Sequence, residues 1–205
     1  MDKLADQAII FDLGGVLLDI DFSLTHRAFE LEGVENFAEL YGQHAAAPFF
    51  IDFEKGKKTT GEFFDHIRAI CGCPLSDETI QRCWNALLIG FRPEKIAWLR
   101  AIARRHRIFL FSNTNIIHYE WFVEDFNRLT GDDFNACFVK AYYSHEMGLR
   151  KPDEASFRHI LDEQELEAAR TLFIDDTIKN IEAAAAMGFQ TIHLPSPQTI
   201  LNLAL

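Results

Sequence analysis

The chain has 205 residues, 48% of them hydrophobic, enough for one large domain or a domain carrying an insertion. Its formal net charge of −11 argues against a general nucleic-acid or anionic-membrane surface, although a metal and a lysine can reverse the sign locally around a phosphate. No apolar run approaches the roughly 20 residues that span a bilayer. The acidic residues 1–6 lack the apolar core of a secretory leader, so a cytoplasmic location is expected.

In chain order, Ala8-Ile9-Ile10-Phe11 is an apolar run too short for a helix and followed by Asp12 and Gly14-Gly15, which reads as a buried parallel strand. Ligands of open α/β sheets bind beyond the carboxyl ends of strands. Asp12 is therefore a candidate for chemistry, although Asp before glycines is also ordinary turn chemistry. Residues 19–92 have a different texture. Residues 22–31 and 37–41 read as helices, and residues 45–51 as an apolar turn or short helix limited by Pro48. Thr59 and Glu62 have capping-box spacing ahead of a helix to Cys71. A further helix starts at Ser76-Asp77 and carries Ile80, Cys83, Trp84, Leu87 and Leu88 at helical spacing. No strand is expected in this interval, which reads as an all-helical insertion. The cysteines Cys71, Cys73, Cys83 and Cys137 form no zinc pattern and are expected reduced, with Cys71-Gly72-Cys73 as small residues at a helix end.

Alternation resumes at Pro93, which opens a helix at its first turn. Strands are expected at residues 108–111, 137–142, 171–174 and 191–194, with helices at 116–129, 153–161 and 178–187 between them. The fold expected is an α/β doubly wound parallel sheet with an inserted helical domain: residues 1–18 and 93–205 form the core, and residues 19–92 the insertion.

The strand ends carry the polar residues. The first ends in Asp12, the second in Ser112-Asn113 and the fourth in Asp175-Asp176, while Lys151 sits in a loop before a helix. Singly, each has a plain reading as turn, cap or solvated loop residue. Together on one sheet edge they supply carboxylates, hydroxyl and amide donors and a cation, which fits phosphoryl chemistry with a hard divalent metal.

The motifs Phe11-Asp12-Leu13-Gly14-Gly15-Val16, Ser112-Asn113, Lys151-Pro152-Asp153 and Phe173-Ile174-Asp175-Asp176 through Asn180, in this order, resemble the haloacid dehalogenase-like (HAD) hydrolase superfamily with its Rossmann-like core. Within it they are most similar to the sugar-phosphate phosphatases, among them small bacterial α-D-glucose-1-phosphate phosphatases and the N-terminal phosphatase domain of soluble epoxide hydrolase. The resemblance implies a cap domain at residues 19–92 and a phosphatase acting on a small-molecule phosphate ester. Asp12 would attack phosphorus. Mg²⁺ would be held by Asp12, the Gly14 carbonyl and Asp176. Asp175 and Asn180 would support the metal from behind, and Ser112, Asn113 and Lys151 would hold the phosphoryl oxygens.

One position departs from the pattern. Most phosphatases of the superfamily carry an acid/base Asp two residues after the nucleophile; here that position is Gly14. Dehalogenases also lack this Asp but need no metal, so the Asp175-Asp176 pair weighs against them. A non-catalytic module that binds phospho-ligands is the other alternative. Asp19, His44, Phe49, Phe50 and Glu54 are cap candidates for contacting the leaving group. Phe49 and Phe50 read more readily as cap core, His44 as structural or solvated, and Asp19 and Asp21 as linker or helix-cap acids.

Overall fold

The computed structural model describes residues 7–42 and 46–205. Residues 1–6 and the cap candidate His44 lie outside the described residues. The chain begins with β1 (Ala8–Phe11), buried along its whole length. β2 (Leu18–Ile20) follows, and then the insertion: α1 (Phe22–Leu31), α2 (Phe37–Leu40), α3 (Pro48–Glu54), α4 (Thr60–Cys71) and α5 (Asp77–Asn85), closed by β3 (Leu88–Phe91). Local chemistry sets the helix starts. Asp21 caps α1 by accepting from Ser23 N, Thr59 and Glu62 form the full capping box of α4, and Ser76 caps α5.

The insertion is not wholly helical. β2 and β3 pair antiparallel, Leu18 with Phe91 and Asp19 with Gly90, as a two-stranded ribbon where the insertion leaves and rejoins the main sheet. Leu88 continues the helical spacing of α5 but belongs to this ribbon. Strands of three or four residues offer too little alternation to read, and their pairing partner lies about 70 residues away in the chain. A second difference concerns the cysteines. Gly72, left-handed at φ 62°, ends α4 and turns the chain back, and Cys71 and Cys73 are joined by a disulfide across it.

After β3 the alternation runs α6 (Pro93–Ala103), β4 (Arg107–Ser112), α7 (Ile116–Thr130), β5 (Lys140–Tyr143), α8 (Ser144–Met147), α9 (Glu154–Gln164), β6 (Thr171–Asp175), α10 (Ile178–Ala186) and β7 (Gln190–His193). The third expected strand starts later than its sequence suggests, because residues 135–137 form a 3-10 turn. The sheet is parallel throughout, in the order β5-β4-β1-β6-β7. Its two faces bury separate cores. Ile9, Phe11, Ile108, Leu110, Leu172 and Ile174 face the side shared with the insertion, and Ala8, Ile10, Phe109, Phe111 and Phe173 face α9 and α10. Because both faces are covered, the central strands read as unbroken apolar runs.

The insertion packs on the first of these cores through Trp84, fully buried among Tyr41, Phe50, Phe63 and His118 with ring centroids 4.4–5.7 Å away. Its polar groups are also satisfied. Trp84 Nε1 donates to Asn115 Oδ1 (3.2 Å), and the Trp84 carbonyl accepts from Thr25 Oγ1 and from His118 Nε2 (3.1 Å each).

Candidate active site

The strand order builds the site. β1 is central, with β4 and β6 on either side, so Asp12, Ser112 and Asp175 leave the sheet on one edge as neighbours. This is where chain connections diverge and a crevice opens in doubly wound folds. Lys151 arrives from the loop between α8 and α9. Its Nζ donates to Asp12 Oδ1 (2.6 Å) and to Asp175 Oδ2 (2.7 Å), and it is 1% exposed between the rings of Phe111 and Phe173.

The surroundings fix each group. Asp175 is fully saturated: Oδ1 accepts from Thr177 N (2.8 Å) and Asn180 Nδ2 (3.0 Å), and Oδ2 from Lys151 and Asn180 Nδ2 (3.1 Å). Asn180, in the first turn of α10, thus supports Asp175 directly. Asp176 accepts from Thr177 Oγ1 (3.1 Å). Asn113 places both ends of its amide on the Lys151 backbone, Nδ2 donating to Lys151 O and Oδ1 accepting from Lys151 N (2.9 Å each). It therefore acts on the lysine's loop as well as facing the cavity. Ser144 Oγ fastens the same region, bonding both N and O of Thr114. Ser112 is buried at the end of β4 and does not line the cavity.

Three carboxylates converge here, with ligand oxygens of Asp12, Asp175 and Asp176 within 4.8 Å of one another. Burial pushes the Asp12 carboxyl well above its usual range; Lys151 opposes this, and Asp175 and Asp176 add to it. Asp176 is raised by burial and by Asp175. Burial alone would lower Lys151, but Asp12 and Asp175 more than offset it, so it stays cationic. One lysine among two buried carboxylates and a half-buried third gives the cluster a net negative charge, which is costly in a low-dielectric site. An oxygen-only donor set of this charge fits a hard divalent cation such as Mg²⁺.

A cavity of about 450 Å³ opens over this cluster, lined by Asp12, Gly14, Asn113, Lys151, Asp176 and Asn180 from the sheet edge. Ile20, Phe22, Tyr41, Ile51 and Glu54 line it from the inserted segment. The two glycines after Asp12 have different reasons. Gly15 is left-handed (φ 76°), and a Cβ there would lie 2.2 Å from Asp176 Oδ2, so only glycine admits that carboxylate. A Cβ on Gly14 would meet Ile20 Cδ1 at 2.8 Å. A side chain at position 14 would thus need the tip of Ile20, a residue of the β2–β3 ribbon, to shift.

Of the other sequence candidates, Glu54 lines the cavity. Asp19 lies in the ribbon, paired with Arg92 and with Lys95 (2.8 Å), and Asp21 is a helix cap. Phe50 is fully buried in the insertion's core, and Phe49 stacks on His66 at 3.6 Å. Tyr41, Arg150, Thr177 and Lys179 also belong to the site. Arg150 and Lys179 lie within or beside motif residues. Tyr41, at the end of a four-residue helix, carries no sequence signal.

A doubly wound sheet whose central strand delivers an aspartate to a lysine and an acidic pair places a candidate site at the carboxyl ends of its strands. The chain belongs to the haloacid dehalogenase-like hydrolases, whose family model matches residues 7–188. It is similar to a D-ribitol-5-phosphate phosphatase of Bacteroides thetaiotaomicron, 27% identical and covering 89% of both chains. The sesquiterpene phosphatase astK of Aspergillus oryzae is 28% identical over 92% of this chain and 89% of its own. Among solved structures, a wild-type HAD family enzyme from Bacteroides thetaiotaomicron, in complex with magnesium and inorganic phosphate, superposes with a TM-score of 0.85 at 29% identity, covering 93% of this chain and 95% of the other.

Proposed function

We propose that this chain is a Mg²⁺-dependent phosphatase that hydrolyses a small phosphorylated metabolite, a sugar or polyol phosphate, through an aspartyl-phosphate at Asp12. The observation that carries the reading is the Lys151 bridge between Asp12 and Asp175 at the floor of the cavity. It occupies Asp12 Oδ1 and leaves Oδ2 to attack phosphorus, with the leaving group's oxygen departing and water later releasing phosphate from the carboxylate. Asp12, Asp176 and the Gly14 carbonyl would hold the cation, with Asp175 and Asn180 behind them; bound there, it would offset the repulsion between Asp12 and a dianionic ester. Lys151 would stabilise charge on the phosphoryl oxygens. Asn113 would keep that lysine in place at the edge of the phosphate pocket, with Ser112 buried behind it at the end of β4 and off the cavity wall. Residues 19–92 would act as a cap that excludes water over the core formed by 1–18 and 93–205. The magnesium- and phosphate-bound relative and the two phosphatase relatives support the reading. The cavity's size suits a small molecule, and among the described residues no helix is long and apolar enough to cross a membrane.

Gly14 favours one competing reading, a site that binds phospho-ligands without turnover, and the same assay separates the two. On a panel of phosphomonoesters with Mg²⁺, wild type should hydrolyse at least one ester, Asp12→Asn should lose about a thousandfold or more in kcat, and a chelator should abolish activity. Equal activity of wild type and Asp12→Asn would sink the proposal. Binding without turnover across the panel would leave the module, and halide release from 2-haloacids in the presence of chelator would leave a dehalogenase.

A further inference from the structure

Position 14 has no side chain, so a residue that protonates the departing oxygen has to lie elsewhere on the cavity wall. Most lining groups that carry a proton are committed. Tyr41 Oη donates to Glu54 Oε1 (3.3 Å), and burial, with the charge of Glu54 adding to it, makes that phenol hold its proton more tightly than usual. Arg150 pairs with Glu54 (2.9 Å), and a guanidinium does not release protons. Thr177 Oγ1 donates to Asp176 Oδ1 (3.1 Å). Lys151 is bonded to Asp12 itself (2.6 Å). Attacking and leaving oxygens lie in line on opposite sides of phosphorus, so a lysine held on the nucleophile does not meet the leaving oxygen.

Lys179 differs from all of these. It lies in the first turn of α10, three residues after Asp176, and lines the cavity while remaining exposed. Its ammonium has no hydrogen bond or ion pair among the described residues. The helix gives no reason for it, because a cation in the first turn opposes the macrodipole. We propose that Lys179 is the general acid of this site, giving its proton to the oxygen of the leaving alcohol. This rests on the phosphatase reading above. As Asp12 Oδ2 bonds to phosphorus, the bond from phosphorus to the ester oxygen breaks, and that oxygen takes a proton from the ammonium and leaves as the alcohol. Water then attacks phosphorus, Asp12 is released as carboxylate, and the water's proton restores the ammonium. An ammonium is a stronger acid than an aliphatic alcohol, so the first transfer runs downhill.

The test uses kcat/KM, which reports the step that breaks the ester bond, in wild type, Lys179→Met and Lys179→Arg. It compares the best alcohol ester of the panel with p-nitrophenyl phosphate, whose leaving anion needs no proton. Lys179→Met should lower kcat/KM for the alcohol ester about a hundredfold, and about tenfold or more beyond any loss on p-nitrophenyl phosphate. Lys179→Arg keeps the charge but not the transferable proton, so it should lose about tenfold or more on the alcohol ester. Equal losses on the two esters, no loss in Lys179→Met, or a wild-type rate in Lys179→Arg would overturn the inference and leave the phosphatase reading intact. Wild type active on p-nitrophenyl phosphate alone would do the same. Wild type inactive on every ester would overturn both. Should wild type not accept p-nitrophenyl phosphate, Lys179→Arg on the alcohol ester decides. The residue is exposed, so neither substitution reaches the core.

Discussion

Asp176 reaches the cavity because residue 15 has no side chain. A methyl group there would lie 2.2 Å from Asp176 Oδ2, on a backbone whose φ of 76° already disfavours any residue but glycine. Gly15→Ala should therefore displace Asp176 while leaving Asp12 and Lys151 in place. The expected outcome is a rise of about tenfold or more in the Mg²⁺ concentration giving half-maximal phosphatase activity, equivalent to about 1.4 kcal/mol of metal affinity. Metal titrations of wild type and variant, with circular dichroism to establish folding, check this; an unchanged Mg²⁺ requirement would remove Asp176 from the metal site. The neighbouring glycine has a different constraint. Position 14 is blocked by Ile20 Cδ1, a flexible side chain, and not by backbone geometry.

Helix α5 is joined to α7 by a buried polar network whose centre is His118. Asn115 Nδ2 can only donate, so His118 Nδ1 accepts it (3.0 Å), and the ring's proton sits on Nε2, donating to the Trp84 carbonyl (3.1 Å). That bonding needs the neutral ring, and burial lowers His118 to about 4 despite the carbonyl's opposing pull. The folded value lies below the unfolded value of about 6.5, so the unfolded chain takes up protons first as pH falls. Stability from this group is fully present above pH 6.5 and declines toward pH 4, with about 2 kcal/mol lost by pH 5. Urea unfolding at pH 7.5 and pH 5 should show a smaller difference in His118→Gln than in wild type; identical differences would assign the acid sensitivity elsewhere, with His145, also lowered to about 4 by burial, the next candidate. Such elements divide by how local their causes are. α1, α4, α5 and α6 were legible because Asp21, Thr59 with Glu62, Ser76 and Pro93 mark their starts within a turn of the chain. The site motifs were legible for a similar reason, since each lies in the few residues after a strand or at the start of a helix. The β2–β3 ribbon and the Tyr41–Glu54–Arg150 cluster were not, because pairing across about 70 residues, and contact between the insertion and the α8–α9 loop, exist only after the chain has folded.

On the scale of the molecule, the insertion meets the main sheet and its helices at three places of unequal strength. At the ribbon, buried Lys95 Nζ donates to Val16 O and Asp19 Oδ1 (2.8 Å each). At α5–α7 the His118 network is buried and fully bonded. At the third, the end of α3 meets α8 and the loop after it through Glu54–Arg150 (2.9 Å), the partly exposed pair Lys55–Asp153 (3.2 Å), and Gly56 against the His145 carbonyl. An exposed ion pair contributes about 0–1 kcal/mol, whereas breaking a buried one by removing a partner costs about 3–5 kcal/mol. Arg150 and both members of Lys55–Asp153 are partly exposed, more so than Lys95 at the ribbon, so opening of the cavity should occur at the α3 contact, with the ribbon and α5 staying in place. Gly56→Ala tests this division. Its φ is 66°, and a Cβ would stand 2.1 Å from the backbone oxygen of His145, so the end of α3 must lift away. Amide hydrogen exchange should quicken about tenfold or more in α3, reporting about 1.4 kcal/mol of lost local stability, while the amides of α5 keep their wild-type rates. KM for the ester should rise with it, because Glu54 leaves the cavity wall when α3 lifts. Faster exchange in α5 to the same extent would mean that the insertion moves as one body about the ribbon. Unchanged exchange in both helices would mean that the α3 contact does not hold the cavity closed.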